Sequence, residues 1–295
     1  MNHRSVLLHE AIASLAIVKG DTVVDGTVGS GGHLAEMYKL HGQNINLVGL
    51  DADPEALTRA QEVIGENSKK VHLIQGNFRN IDEALKTVEL SSFDKALLDL
   101  GWSTDQFERS GRGFSFKQDE PLDMRFDPTS PISARNVVND WQEETLRTII
   151  KGFGEEKFAR VISHRIVTRR EHKPIETTAE LAGIIYDAVP SWYRHRKIHP
   201  ATKTFQALRI AVNDELSALE EGLAKMYKIL NTHGRIAVIT FHSLEDRIVK
   251  RFFRKQVAEG NGKLITKKPI TPSDEEIETN RRSRSAKLRI IEKTS

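Results

Sequence analysis

The chain has 295 residues, 38% of them hydrophobic and 29% charged, with a formal net charge of +3 and no cysteine. That length allows one large core, or a core with a smaller second unit, and the composition is that of a soluble globular protein rather than a disordered or membrane one. The missing cysteines exclude disulfides, thiolate nucleophiles and cysteine-held zinc. No apolar run is long enough to span a bilayer and Met1-Asn2-His3-Arg4-Ser5 lacks a signal-peptide pattern, so a cytoplasmic location is expected.

The first hundred residues alternate short β-rich runs with helical patterns, which predicts βαβ units on a parallel sheet. Candidate strands are 21–25, 46–51, 71–75 and 95–99. The turn after the first reads Asp25-Gly26-Thr27-Val28-Gly29-Ser30-Gly31-Gly32-His33. Glycines serve where a backbone must approach a ligand closely, and parallel sheets bind ligands at the carboxyl ends of their strands. Twenty residues past Gly31, Asp51 ends the second strand, placed to hold both hydroxyls of a ribose or simply to cap the strand. The turn therefore predicts a nucleoside cofactor. Its spacing is not G-x-G-x-x-G, and a pyrophosphate would meet no basic group there.

Asp53-Pro54-Glu55 supplies an N-cap, a proline at the first helical position and an acidic first turn for a crossover helix through Glu62. Phe78 follows the third strand, where its ring either stacks on adenine or fills the core. Asp99 ends the fourth, where it accepts from an exocyclic amine of the cofactor or faces the substrate.

Beyond Leu100 the alternation stops. Residues 101–131 are rich in Gly, Pro, Ser and Asp, and their aromatics Trp102, Phe107, Phe114 and Phe116 show no period, which predicts an ordered, functional loop. Residues 133–189 read as helices; in 156–170, for example, Phe158, Val161, Ile162 and Ile166 recur at helical spacing. The cationic connector Tyr193-Arg194-His195-Arg196-Lys197 leads to one long helix over 201–230, then to Gly234 and a buried strand over 235–241. The sheet thus resumes after a helical insertion, and 259–280 reads as a long loop. Residues 1–100 carry 9 Lys/Arg against 14 Asp/Glu and the last 49 residues 14 against 6, a polarity that suits a polyanionic partner or a solvated basic tail equally well.

Several longer motifs stand in fixed order: His3-Arg4-Ser5-Val6-Leu7-Leu8, Gly29-Ser30-Gly31-Gly32-His33, Arg112-Gly113-Phe114-Ser115-Phe116 and Pro121-Leu122-Asp123-Met124-Arg125. They continue with 199–209 (HPATKTFQALR), 241–247 (FHSLEDR) and 284–289 (RSAKLR). In these the chain resembles the MraW-like family of small-subunit ribosomal RNA methyltransferases over nearly its whole length. The resemblance implies an α/β fold, a doubly wound, mostly parallel Rossmann-like sheet with an inserted helical domain. It places the S-adenosyl-L-methionine-binding domain at 1–105 and 198–295, and the substrate-recognition insertion at 106–197.

It also implies N4-methylation of a cytidine in the decoding region of 16S rRNA, with the small ribosomal subunit as partner. Cofactor contacts fall on Gly31, Gly32, His33, Asp51, Phe78, Asp99 and Gln106; by its place after the fourth strand, Asp99 or a nearby carbonyl is expected to orient the reacting amine, and no metal is called for. The oligomeric state is left open, a homodimer included. The chain departs from the family at Asp99-Leu100-Gly101-Trp102-Ser103-Thr104, where a Val-Ser-Ser run is usual after the glycine, so that a bulky ring stands beside the expected active centre. His33, His199 and His242 are candidate bases or phosphate contacts.

RNA contacts are expected from Arg160, Arg165, Arg169, Arg170, Lys173, Arg194, Arg196 and Lys197 in the insertion and from Arg281, Arg282 and Arg284 in the tail. Two other classes compete. One is a methyltransferase for another nucleic acid or a small molecule; the other is an RNA-binding module whose cofactor site is inactive.

Overall fold

Val23 and Val24, Leu97 and Leu98, and Val238 and Ile239 are adjacent apolar pairs whose members point to opposite faces of a strand, and all of them are buried. A sheet with both faces covered follows from such runs. The computed structural model describes residues 5–65, 70–101 and 110–295. The chain divides into two compact units, 1–102 with 216–295, and 103–215.

The first unit is built on seven strands: β1 Thr22–Asp25, β2 Asn46–Asp51, β3 Val71–Gln75, β4 Phe93–Asp99, β5 Leu230–Thr240, β6 Gly262–Leu264 and β7 Lys287–Lys293. Their order is β3-β2-β1-β4-β5-β7-β6. The first five run parallel, and β7 lies antiparallel between β5 and β6. From β1 the chain winds outward through β2 and β3, then crosses back to β4 and β5 on the other side. The switch point, where a doubly wound sheet opens its crevice, therefore lies between β1 and β4.

Helices α1 Leu8–Leu15 and α2 Gly32–His41 cover one face, packing Ala11, Leu15, Leu34 and Met37 over Val23, Leu47, Leu97 and Ile239. The other face packs Val24, Val48, Ala96 and Leu98 against Leu219, Leu223 and Met226. The crossover helix α3 Pro54–Ile64 begins as its sequence predicts, with the Asp53 carboxylate accepting from the Glu55 amide at 3.2 Å.

The second unit has a hydrophobic core of its own, including Leu146, Ile150, Ile162, Ile166, Leu181, Ile185, Phe205 and Leu208. It contains α5 Ala134–Asp140, α6 Glu143–Gly152, α7 Ala159–His172, α8 Thr178–Ala188, α9 Ser191–Arg194 and α10 Ala201–Asn213, numbered after α4 Ile81–Lys86 of the sheet unit. Capping boxes start two of them, Ser133 with Asn136 and Thr177 with Glu180. Of the four apolar residues at helical spacing, Ile162 and Ile166 are buried, whereas Val161 is 45% exposed.

Four expectations are corrected. The single long helix over 201–230 is two, α10 and α11 Glu215–Ile229, broken at Asp214 with φ 47°. Aspartate is among the few non-glycine residues that visit this region readily, and the apolar period runs across the break, so periodicity alone hides it. The boundary at 198 moves to 216, because Ala201, Phe205 and Leu208 of α10 belong to the insertion's core. The stretch 259–280 is not one loop: it holds β6 and α13 Asp274–Thr279, which Ser273 caps by accepting from the Glu276 amide; α12 Ser243–Ala258 precedes it. Strand β5 also starts earlier than its sequence suggests, at Leu230, and continues through Gly234.

The aperiodic loop is ordered over its described part. Arg112 donates to the Arg125 and Phe126 carbonyls at 3.1 and 3.0 Å, and Arg125 forks onto Asp123 at 2.9 and 2.6 Å. Phe114 and Phe116 enter the insertion's core; Trp102 and Phe107 lie outside the described residues.

Candidate active site

Asp25 is in register with Gly49 of β2 and Leu97 of β4. Asp51 and Asp99 each stand two residues further along, so the three carboxylates leave the carboxyl ends of adjacent strands on one face. Four residues past β1, the chain makes its glycine turn. Gly31 takes φ +80°, and a Cβ there would lie 3.1 Å from the Ala60 Cα of α3, so the turn both needs left-handed backbone and touches a helix. A Cβ on Gly32 would run into the Ser5 hydroxyl.

Asp51 fastens this turn. Its Oδ2 accepts from the Gly29 amide at 2.8 Å and its Oδ1 from the Asp53 amide at 2.9 Å. Burial pushes its pKa up to about 6, against the lowering effect of those two amides. By its place in the sequence this carboxylate suits ribose binding or strand capping; the structure shows that it shapes the glycine turn, with a second lone pair on each oxygen still available to a ligand.

Asp25 carries no signal of its own in the sequence, although it is the last residue of β1. It is 1% exposed, and burial raises its pKa to about 7. One oxygen accepts from the Thr27 amide at 3.1 Å and the other, Oδ2, has no hydrogen-bond partner among the described residues. Asp99 donates its amide to the Thr27 hydroxyl at 2.6 Å, so Thr27 ties β1 to β4 at this level. Desolvation first, then the charges of Asp25 and Glu245, raise the Asp99 pKa well above its ordinary value, and its Oδ1 has no hydrogen-bond partner among the described residues.

His33 is buried at the start of α2, with Nε2 3.1 Å from the Val6 carbonyl and Nδ1 3.5 Å from Asp99 Oδ2. A carbonyl only accepts, so Nε2 carries a proton; Nδ1 then either accepts from a protonated Asp99 or, on an imidazolium, donates to the carboxylate. The structure thus brings together Gly31, His33, Asp51 and Asp99, with Asp25 added.

Phe78 sits in a short turn that Asn77 caps by accepting from the Arg79 amide at 3.0 Å. A Cβ on Gly222 of α11 would lie 2.6 Å from Phe78 Cδ2, so the ring rests on the bare backbone of that helix and joins the edge of the core. Gln106 lies outside the described residues.

The other histidines have structural work. His242 and Glu245 form the capping box of α12, and the Glu245 carboxylate accepts from the Phe241 amide at 2.8 Å. His199 Nδ1 accepts from the Ala201 amide at 3.2 Å while its ring lies 4.7 Å from that of Phe116. Among the expected phosphate contacts, Arg170 is instead spent on carbonyls, donating to Val138 and Trp141 at 2.7 Å each. Lys173 pairs with Glu180 at 3.0 Å, and Arg194 donates to the Val189 and Asp187 carbonyls at 2.9 and 3.1 Å.

Carboxylates at a switch point, Asp25 buried and Asp99 half-buried, each with an oxygen that no described residue partners, suit a ligand that brings positive charge and hydrogen-bond donors. The sulfonium, ammonium, ribose hydroxyls and adenine amine of S-adenosyl-L-methionine meet that description; a pyrophosphate does not. Fold and site together define an α/β protein built for a cationic nucleoside cofactor.

The chain belongs to the MraW methylase family, whose model matches residues 1–294. It is similar to the ribosomal RNA small subunit methyltransferase H of Sulfurihydrogenibium sp. (strain YO3AOP1), 47% identical over 292 residues that cover 98% of each chain. The protein of the same name from Carboxydothermus hydrogenoformans is 46% identical over 309 residues, covering 100% of this chain and 98% of its own. That from Brevibacillus brevis is 43% identical over 307 residues, covering 99% and 98%. The protein is accordingly a methyltransferase, and S-adenosyl-L-methionine is its cofactor.

Proposed function

We propose that this methyltransferase modifies the N4 amine of a cytidine in the decoding region of 16S rRNA, acting in the cytoplasm on the small ribosomal subunit. The relatives' shared name supports ribosomal RNA as the substrate class. The observation that carries the site assignment is the half-buried Asp99 carboxylate at the switch point, whose Oδ1 has no hydrogen-bond partner among the described residues.

In this reading the sheet unit holds the cofactor and the helical unit, 103–215, meets the RNA. Gly31, Gly32 and His33 line the turn, Asp51 holds the ribose and Phe78 borders the adenine; Gln106, the remaining expected contact, lies outside the described residues. The cofactor supplies an electrophilic methyl on sulfonium. Cytosine N4 is a weak nucleophile, because its lone pair is delocalised into the ring. Asp99 accepts a hydrogen bond from that amine, fixes its direction and so lowers the barrier by orientation. Bound S-adenosyl-L-methionine would supply the methyl and leave as its neutral sulfide, and the proton that N4 would give up would pass to Asp99 when ionised, with His33 beside it. Only the ionised carboxylate accepts a proton, so the rate rises with pH through the raised pKa of Asp99.

The test is single-turnover methylation of small-subunit RNA with saturating labelled cofactor, read out by nucleoside mass spectrometry. Asp99→Ala and Asp99→Asn are each expected to lower turnover by about 10²-fold or more, the range of a positioned acid–base group, with N4-methylcytidine as the wild-type product. Near-normal turnover in both variants excludes the role of Asp99. A different methylated nucleoside excludes the cytidine assignment, and no wild-type turnover favours an inactive cofactor site.

A further inference from the structure

Trp192, in the one-turn helix α9, is 58% exposed, yet its ring is not loose. It stands edge-on to Phe158 and Tyr193, with centroids 5.9 and 5.7 Å away. Tyr193 is itself pinned, its hydroxyl donating to the buried Glu156 carboxylate at 2.6 Å. The Lys157 ammonium lies over one face of the Trp192 ring, 4.2 Å from its centroid, which leaves the opposite face for a base, and Arg196 lies over the Tyr193 ring at 5.4 Å.

Single exposed apolar residues are ordinary. An exposed tryptophan braced by two rings and flanked by cations is less so, and here it does not stand alone. One helical turn beyond Lys157, Arg160 and Val161 enter a groove of about 530 Å³ that His164, Arg165, Asp187 and Ala188 also line. Glu143, its other acid, faces His164 at 3.2 Å. Arg196 and Lys197 extend the positive charge on the chain leaving α9.

We infer that Trp192 is a stacking platform for an unpaired base of RNA, with the phosphates of the same strand held by Lys157, Arg160, Arg165, Arg196 and Lys197. A ring with an open surface stacks on any base, and cations alongside it track the backbone; together they make the recurrent single-strand binding surface. Duplex RNA keeps its bases stacked inside and offers nothing to the ring. The charge around the tryptophan favours this polyanion over an apolar partner or a second copy of the chain. The inference rests on RNA being the substrate, and it assigns a role to an aromatic residue that carries no charge for a phosphate.

The test measures binding of the whole protein to a single-stranded fragment of small-subunit RNA, to the same fragment with abasic positions, and to a duplex. Trp192→Ala is expected to weaken single-strand binding by about five- to a hundredfold, with thermal midpoint and cofactor affinity unchanged, and Trp192→Phe to restore most of it. Wild-type preference for the intact over the abasic strand is expected to vanish in Trp192→Ala. Replacing Lys157 and Arg160 by glutamine is expected to reduce the log–log salt slope by about 0.7 for each phosphate that is no longer neutralised.

Unchanged single-strand affinity in Trp192→Ala, while the wild type binds and methylates RNA, overturns the platform and leaves the substrate reading standing. If the wild type binds no RNA, both fall. A change in sedimentation without a change in RNA affinity assigns the surface to a second copy instead.

Discussion

The strand-end acids Asp25 and Asp51 are held at pKa values that a cation would change. In the free protein burial raises Asp25 to about 7 and Asp51 to about 6. A ligand bringing positive charge to the strand ends favours the ionised forms, so both pKa values fall on binding and protons are released. Cofactor affinity therefore increases as pH rises from below 6 to above 7, where the acids are already ionised and binding no longer has to deprotonate them. Calorimetry in buffers of different ionisation enthalpy is expected to show proton release near pH 6 for S-adenosylmethionine. The release should be smaller for the demethylated product, whose sulfur is neutral. Proton uptake, or equal release for the two ligands, would show that Asp25 and Asp51 do not face the charge.

Among the elements, α5 and α7 are joined by one side chain. Arg170 in the last turn of α7 donates to the Val138 carbonyl within α5 and to the Trp141 carbonyl at its C-terminal end. Those oxygens are among the terminal groups that a helix leaves unpaired. Hydrogen bonds from a charged donor are worth about 1.5–3 kcal/mol each when buried, and less at this partly buried position. Arg170→Ala is therefore expected to destabilise the insertion by about 2 kcal/mol in denaturant unfolding, with cofactor affinity unchanged. Equal stability of variant and parent would return Arg170 to the set of free phosphate contacts. The same geometry explains why charge alone misleads here. Arg169, Arg170 and Lys173 look alike in sequence, but carbonyls claim the second and Glu180 pairs with the third.

At the scale of the whole molecule the hydrophobic cores are built from separate stretches of chain, those of the sheet unit from the strands and their helices, that of the insertion from 103–215. A ligand stabilises what it binds by RT ln(1 + [L]/Kd), about 2.7 kcal/mol at a hundredfold excess over Kd. Saturating S-adenosylmethionine is expected to slow hydrogen exchange in β1, β2 and β4 by up to that amount, and to leave the amides of α6, α7 and α8 within experimental error. Equal protection of both sets would show that the cofactor stabilises the insertion's helices as much as the strands.

Local chemistry made much of this legible in the sequence. β2 and β3 fall at the predicted residues, because an apolar run between turn signals has few other folds. The start of α3 follows from Asp53 and Pro54, and the glycine turn from its own residues. Asp51 and Asp99 could be named because strand ends are visible as the limits of apolar runs. What the sequence could not decide depends on partners distant along the chain.

The break at Asp214 is silent because both helices keep one apolar period across it. The assignment of α10 to the insertion depends on which core its buried face meets, and periodicity does not name the partner. Asp25 becomes a candidate only when β1 and β4 are neighbours, because the Asp99 charge problem arises from their adjacency. Sequence determines which residues seek burial, hydrogen bonds or charge; only the tertiary structure decides which groups meet those needs, because desolvation and Coulomb interactions act through space rather than along the chain.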